Sequence, residues 1–221
     1  MANAEGHLFG SVLLIGVVAI AGAFIVKSSD DWSRDRIAAN ERVRVVARLN
    51  SVLDPALRSR DLTTTRLTVT DAALLGSDDP TDVYVLSEGV QPVAVLFASV
   101  APHGYNASIN LVIGVSPAGA VTGVRAVRHR ETAGLGDAID PAKSDWIEQF
   151  PGKTLAAPAA ALWAVEQDDG EFDSITGATV TSRAVVTAVK NTLLYFEQHR
   201  DELYAAAAAA AATADDDEAR D

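Results

Sequence analysis

The sequence predicts an α+β fold: a single N-terminal transmembrane helix, a stalk helix, and then one domain with an antiparallel sheet and flanking helices. Three observations predict it. Leu8–Val26 is an uncharged apolar run of 19 residues, the middle of the chain alternates β-branched residues with period two, and a helical apolar stripe lies near the C-terminus. The implied organisation is a transmembrane anchor over 1–28, a stalk helix over 29–60, a domain over 61–204, and an Ala-rich and acidic tail over 205–221.

At ~1.5 Å rise per residue the apolar run covers roughly 28 Å, close to a bilayer core. Its glycines at 10, 16 and 22 are not in GxxxG register, so no tight helix-pairing face is indicated. A cleaved signal peptide is the alternative reading. The leading segment MANAEGH is not basic and the run exceeds a typical signal core, so an uncleaved anchor is expected. Lys27, Arg34 and Arg36 follow the span and no Lys or Arg precedes it, which by charge alone places the rest of the chain in the cytoplasm.

Asp30 and Asp31 can cap the stalk helix. Ile37, Val45, Val46, Leu49, Val52 and Leu53 keep helical spacing, and Asp54-Pro55 ends it. Thr63–Val69, Asp82–Leu86 and Val93–Val100 read as strands bounded by Gly, Pro and Asp. Ile109, Leu111, Ile113 and Val115 alternate, Ser116-Pro117-Ala118-Gly119 turns, and Val121, Val124 and Val127 return, which makes a hairpin. Trp146–Phe150 reads as a short helix, and Ala159–Val165 as a short segment of either type. From Ser182 to about Leu203 a helix is expected, with Val185, Val186, Val189, Leu193 and Phe196 on one face and Ala205–Ala212 as an extension.

Composition excludes several functions. The 221 residues carry a formal net charge of −12, and the whole imbalance lies beyond the anchor. An acidic chain without a clustered Lys/Arg patch argues against nucleic acid as a partner. Cysteine is absent, which excludes disulfides, thiolate metal sites and iron–sulfur ligation by this chain. Any redox chemistry then belongs to an organic cofactor or a partner. His7, His103, His129 and His199 lack metal-ligand spacing. Asp168, Asp169, Glu171 and Asp173 lack the spacing and terminal Glu of an EF-hand. Asn106-Ala107-Ser108 is a formal glycosylation sequon, a short pattern that arises often by chance.

The segment with chemistry is Asp173-Ser174-Ile175-Thr176-Gly177-Ala178-Thr179-Val180-Thr181-Ser182, directly before the last helix. Small residues there let backbone amides approach an anion, and a helix N-terminus adds favourable partial charge. Thr181 and Ser182 read most simply as helix caps.

Asp173-x-x-Thr176-Gly177-Ala178-Thr179 resembles the flavinylation motif D-x-x-[S/T]-G-A-T of the FMN-binding subunits of the Rnf electron transport complex and the sodium-pumping NADH:quinone reductase. A second stretch, Glu131-Thr132-Ala133-Gly134-Leu135-Gly136, resembles that family's E-T-P-G-L-G segment, with Ala133 where Pro is usual. It follows the hairpin and leads to Trp146 and Phe150, as in the family. The resemblance covers nearly the whole chain up to about residue 205, and the length fits the Rnf branch, the G subunits, better than the longer quinone-reductase branch.

The resemblance implies FMN joined through its phosphate to the Thr179 hydroxyl by a flavin transferase that uses FAD. Asp173, Thr176, Gly177 and Ala178 are then cofactor-binding residues, the first three also matching the transferase recognition pattern, and Glu131, Thr132, Leu135 and Gly136 flank the ring or ribityl chain. Leu135 has core packing as its alternative, Gly134 and Gly136 the supply of positive φ, and His129, a candidate proton donor, a structural role. No catalytic residue and no metal ligand is implied. The expected function is electron transfer within a membrane-bound, ion-translocating complex. Its partners are the other subunits, the membrane and the transferase. Family members place this domain on the periplasmic side of the bacterial cytoplasmic membrane, and that outweighs three charges after the anchor. The alternatives are an anchored module that holds FMN or another phosphate ligand noncovalently, and a Thr-nucleophile hydrolase.

Overall fold

The computed structural model describes residues 52–53, 56–58 and 62–218, with side chains to 213. The chain divides into two compact units, 1–47 and 48–221, and every described residue belongs to the second. The expected membrane span and nearly all of the expected stalk helix lie outside the described residues. No helix among the described residues is long and apolar enough to cross a membrane.

The α+β expectation holds for the described part: an antiparallel sheet with a long C-terminal helix. The strands are β1 (Thr63–Asp71), β2 (Ser77–Glu88), β3 (Gln91–Phe97), β4 (Val100–Ala101), β5 (Ile109–Val115) and β6 (Val121–Arg128). They pair in the order β1-β2-β3-β5, all antiparallel. β4 continues past the end of β3 along the same side of β5, and β6 lies on the other side. The expected β5–β6 hairpin is present, and Gly119 at φ 79 closes its turn.

The expected strand at 82–86 begins earlier, at Ser77. The four-residue helix α1 (Ala72–Leu75) brings Asp71 opposite Ser77, so polar residues with little strand propensity are paired by their neighbour. Asp71 caps α1 by accepting from Leu74 N at 2.9 Å. The short helix expected at Trp146–Phe150 is present as a 3₁₀ helix, Trp146–Gln149, and Ala160–Leu162 is another. Such short segments gain too few hydrogen bonds to nucleate an α-helix.

Helix α2 (Thr179–Glu218) lies against the sheet. Val185, Val186, Val189, Leu193 and Phe196 are all buried, as the helical spacing predicts. Phe97 meets Tyr195 and Phe196 edge-on with centroids 6.0 and 6.3 Å away. Buried Ser99 and Thr192 hydrogen-bond at 2.8 Å, fixing the helix to the bend between β3 and β4. The helix runs through residue 205 without a break, and Ala207 still belongs to the core.

Gly114 and Gly123 face each other across β5 and β6. A Cβ on Gly123 would lie 2.8 Å from both Cα and O of Val52, so this glycine pair makes room for the backbone of the last stalk residues. Val52 and Leu53 are buried there, and Thr122 Oγ1 donates to Val52 O at 2.8 Å. The expectation that the stalk's end packs on the domain holds for these two residues.

Candidate functional site

The site forms where two loops meet the first turn of α2. Phe172 enters it from the core, stacked on Phe150 at 5.2 Å and tilted against Trp163 at 4.6 Å. The Trp146 ring meets Phe150 edge-on at 5.6 Å. This aromatic column sets the depth at which the next residue, Asp173, emerges. Trp146 Nε1 donates to Asp173 O at 2.8 Å, and Asp173 N donates to Gln149 Oε1 at 2.9 Å. One 3₁₀ turn therefore holds both backbone polar groups of the first motif residue, while its carboxylate stays exposed.

Ile175–Ala178 is a tight turn closed by Ala178 N donating to Ile175 O at 2.9 Å, with Gly177 at φ 78. Positive φ at the third position of such a turn is what glycine supplies. The helix begins at once. Ser182 N donates to Ala178 O at 3.0 Å, so Thr179, Val180 and Thr181 hold the first helical positions. Among the described residues no acceptor is bonded to their N–H groups, which makes this the electropositive end of a 40-residue helix.

The hydroxyls differ. Ser182 Oγ accepts from Ile175 N at 3.0 Å and donates to Ala178 O at 3.2 Å, tying the turn to the helix from within the first turn. Thr181 Oγ1 donates to Glu131 Oε2. The simple capping expected of both is thus corrected. Neither sits at the cap position, because the helix starts three residues before Ser182. Thr179 Oγ1 has no hydrogen bond among the described residues, is half-buried, and faces the cleft.

That cleft has a volume of about 540 Å³ and is open to solvent. Asp173, Thr176, Gly177 and Thr179 line it, joined by Asp145, Trp146, Glu166, Gln167 and Ser174. The size is that of a cofactor site. None of these lining residues is Lys or Arg. Nearby Asp168 is spent on Arg183 (2.5 and 2.8 Å), and the hydrogen bond from that guanidinium holds its carboxyl below the usual carboxylate range. Glu171 is similarly spent on Lys153 at 2.7 Å.

The second motif lies on the other side of the helix start. Leu135 is exposed, and its Cδ2 would lie 3.1 Å from a Cβ on Gly177, so the two motifs touch there. Thr132 is exposed, and its carbonyl accepts from Leu135 N and Asp137 N, while Gly134 N donates to Asp137 Oδ1 at 2.8 Å. These bonds shape the loop at Ala133 without a proline ring. Glu131 and Gly136 are buried and do not line the cleft, and Ala178 is buried behind it. Gly136 lies in a 3₁₀ turn with no positive φ. It is small because a Cβ would meet Glu131 Cβ at 2.9 Å and Thr181 Oγ1 at 3.0 Å. Only Gly134, at φ 77, supplies the expected left-handed conformation. His129 Nδ1 accepts from Glu131 N at 3.3 Å, a structural role. Asn106 Nδ2 donates to Arg130 O at 2.9 Å, so the sequon's asparagine braces this same loop.

Sequence reasoning missed the clamp by Gln149 and the cleft walls Asp145, Glu166 and Gln167. No local pattern announces them, since Gln149 and Asp173 are 24 positions apart.

The residues present fit a phosphate-bearing flavin on structural grounds. A free hydroxyl, unpaired helix N–H groups and a glycine without Cβ converge beside a cofactor-sized cleft. Comparison with known proteins agrees. The FMN-binding domain family matches residues 104–194. The G subunit of the ion-translocating oxidoreductase complex of Pseudomonas aeruginosa is 40% identical over 195 residues, covering 88% of this chain and 91% of the relative. The corresponding protein of Vibrio vulnificus is 38% identical over 191 residues, 86% of this chain and 90% of the relative. That of Shewanella loihica is 37% identical over 190 residues, with coverage of 86% and 90%.

Proposed function

The chain belongs to the family of G subunits of ion-translocating oxidoreductase complexes, and from that premise we propose that it carries one FMN esterified through its phosphate to Thr179 Oγ1 and passes electrons within such a complex. The observation that carries this reading is the state of the hydroxyls at the helix start. Thr181 and Ser182 are engaged, whereas Thr179 is free, half-buried, and at the first position of α2 beside unpaired N–H groups. Thr176 also lines the cleft, but on the turn before the helix and more exposed.

FMN supplies one-electron transfer when bound. The chain's own contribution is placement. Thr179 provides the covalent oxygen, and the N–H groups of Thr179–Thr181 face the phosphate. Gly177 leaves room for it, and exposed Asp173 and Thr176, with Ala178 buried behind them, belong to the pattern that a flavin transferase reads. Thr132 and Leu135, exposed beside Gly177, are the second-motif residues placed to meet the flavin. The apolar run 8–26 anchors the chain in the bacterial cytoplasmic membrane, with the domain on the periplasmic side and the other subunits as partners. Isolated, the chain has no complete catalytic activity. A Thr-nucleophile hydrolase finds no support, because no Asp, Glu or His among the described residues hydrogen-bonds to Thr179.

The test is intact mass and in-gel flavin fluorescence on denatured protein, produced with and without a flavin transferase, for wild type, Thr179→Val and Thr176→Val. The expected result is a transferase-dependent adduct of one FMN minus one water in the wild type, absent in Thr179→Val and reduced but present in Thr176→Val. An unmodified wild-type chain beside a correctly modified control substrate would favour the noncovalent binding module. An adduct that survives Thr179→Val and disappears in Thr176→Val would move the acceptor.

A further inference from the structure

We propose that Glu131 is a positioning residue, not a flavin contact: acting through Thr181, it fixes the first turn of α2 and thereby the place of Thr179. The proposal rests on the reading of Thr179 as the flavin-bearing residue. Glu131 is 8% exposed and does not line the cleft. Its carboxylate gathers three donors from two other parts of the chain. Oε2 accepts from Tyr105 N at 3.3 Å and from the Thr181 hydroxyl, and Oε1 accepts from Asn106 N at 3.3 Å. The loop between β4 and β5 is thus joined to the helix start through one side chain.

A buried carboxylate is costly unless its oxygens are satisfied, and here they are. Its negative charge also lies against the electropositive end of α2, where it is favourable. The packing is specific to this arrangement. Gly136 cannot carry a Cβ without meeting Glu131 Cβ at 2.9 Å, Glu131 Oε2 at 3.0 Å and Thr181 Oγ1 at 3.0 Å. A Cβ on Gly104 would stand 3.0 Å from Glu131 Oε1 but 2.2 Å from Ala107 O, so that glycine serves its own loop first. Gly136 is the glycine that makes room for the bracket. Thr181 is two residues from Thr179 on a single helical turn, so the angle at which α2 leaves the bracket sets where the Thr179 hydroxyl stands.

The chemistry supplies the variants. In Glu131→Gln, one oxygen becomes an NH₂ group, which faces at least one N–H donor and cannot accept from it. Thr181→Val keeps the shape and loses the donor. Thr181→Ser keeps the donor. The first readout is amide hydrogen exchange on the full chain in detergent without flavin. E131Q and T181V are expected to raise exchange about tenfold at Ala178 and Ser182, the two amides of this turn that are hydrogen-bonded, the scale of losing a hydrogen bond to a charged group. T181S should match wild type, and E131Q/T181V should exceed neither single variant by a further factor.

The second readout is the visible absorption band and midpoint potential of protein carrying flavin. A positioning role requires T181V to reproduce the change seen in E131Q. A shift in E131Q with T181V silent would make Glu131 a flavin contact and overturn the proposal. Unchanged exchange at Ala178 and Ser182 in both single variants would overturn it as well. Should E131Q not fold, the T181V and T181S pair decides by the same exchange criterion. Failure of the flavin reading itself would show separately, as an unmodified wild-type chain in the mass measurement, while the exchange experiment still reads the bracket.

Discussion

Gly136→Ala and Gly134→Ala lie two positions apart in one loop and separate two reasons for glycine. At Gly134, φ is 77 and nothing lies within 4 Å of a Cβ, so alanine meets strain but no collision. That strain costs about 1–2 kcal/mol for an L-residue. At Gly136, φ is ordinary but the Cβ position is 2.9 Å from Glu131 Cβ, closer than real Cβ atoms come. That neighbour is the root of a side chain and not a mobile tip, so the loop itself must move. Overpacking of this kind costs about 1–3 kcal/mol. Movement also loosens bonds to a buried carboxylate, each worth about 1.5–3 kcal/mol. With one such bond lost, the sum is about 2.5–6 kcal/mol. At about 2–4 °C of Tm per kcal/mol for a chain of this size, G136A should melt roughly 5–24 °C lower. G134A should fall by less. Calorimetry on the full chain in detergent measures both. An equal or larger loss in G134A would refute the assignment of Gly136 to close packing, and with it the rigidity of the Glu131–Thr181 contact.

Gly123→Ala should lift residues 52 and 53 off the sheet. The new Cβ would stand 2.8 Å from the Val52 backbone, and releasing that buried valine costs about 1.5–3 kcal/mol. Hydrogen exchange at Val52 and Leu53 should rise while the β5 amides stay protected, and unchanged exchange at both positions would sink the idea. Arg183→Gln should raise the Asp168 carboxyl back to the ordinary aspartate value, followed by NMR titration. The folded value is depressed, so the pair's contribution to stability is present above the unfolded pKa and disappears as pH falls through the folded one. Both groups are exposed, so Tm at neutral pH should not move. An Asp168 that titrates identically in the variant would show that the observed contact is not populated in solution.

The β5–β6 hairpin was legible because its alternation and its turn chemistry agree. The α2 face was legible because five apolar residues keep one stripe. The start of β2 was not, because Ser77–Thr81 is polar and becomes strand only through pairing with β1. In the site, the T-G-A-T segment announces a helix start that can take an anion. The contacts that hold it do not announce themselves. Trp146 and Gln149 reach Asp173 across 27 and 24 positions, and Glu131 reaches Thr181 across 50. Sequence spacing carries no signal for pairs of that kind. Gly136 shows a further limit, since a glycine needed for room and one needed for positive φ are written with the same letter.

If the cofactor is joined to Thr179 as proposed, the charge around the cleft gives the covalent bond a physical reason. A phosphate monoester carries close to two negative charges at neutral pH. The cleft offers it helix N–H groups and hydroxyls, but its walls carry the carboxylates of Asp145, Glu166 and Asp173 and no Lys or Arg. The adjoining bases Arg183 and Lys153 are already paired with Asp168 and Glu171. A helix end contributes about 0.3–1 kcal/mol to an exposed anion, too little to offset three carboxylates and the entropy of association. The proposed esterification through Thr179 would remove one negative charge and make retention independent of affinity. The same acidic walls, harmless to an attached cofactor, would turn away free nucleotides that compete for the helix end. Under the proposed attachment, the open, acidic cleft and the free Thr179 hydroxyl belong to one solution, in which the covalent bond would hold the cofactor and the surrounding charge would keep the site selective.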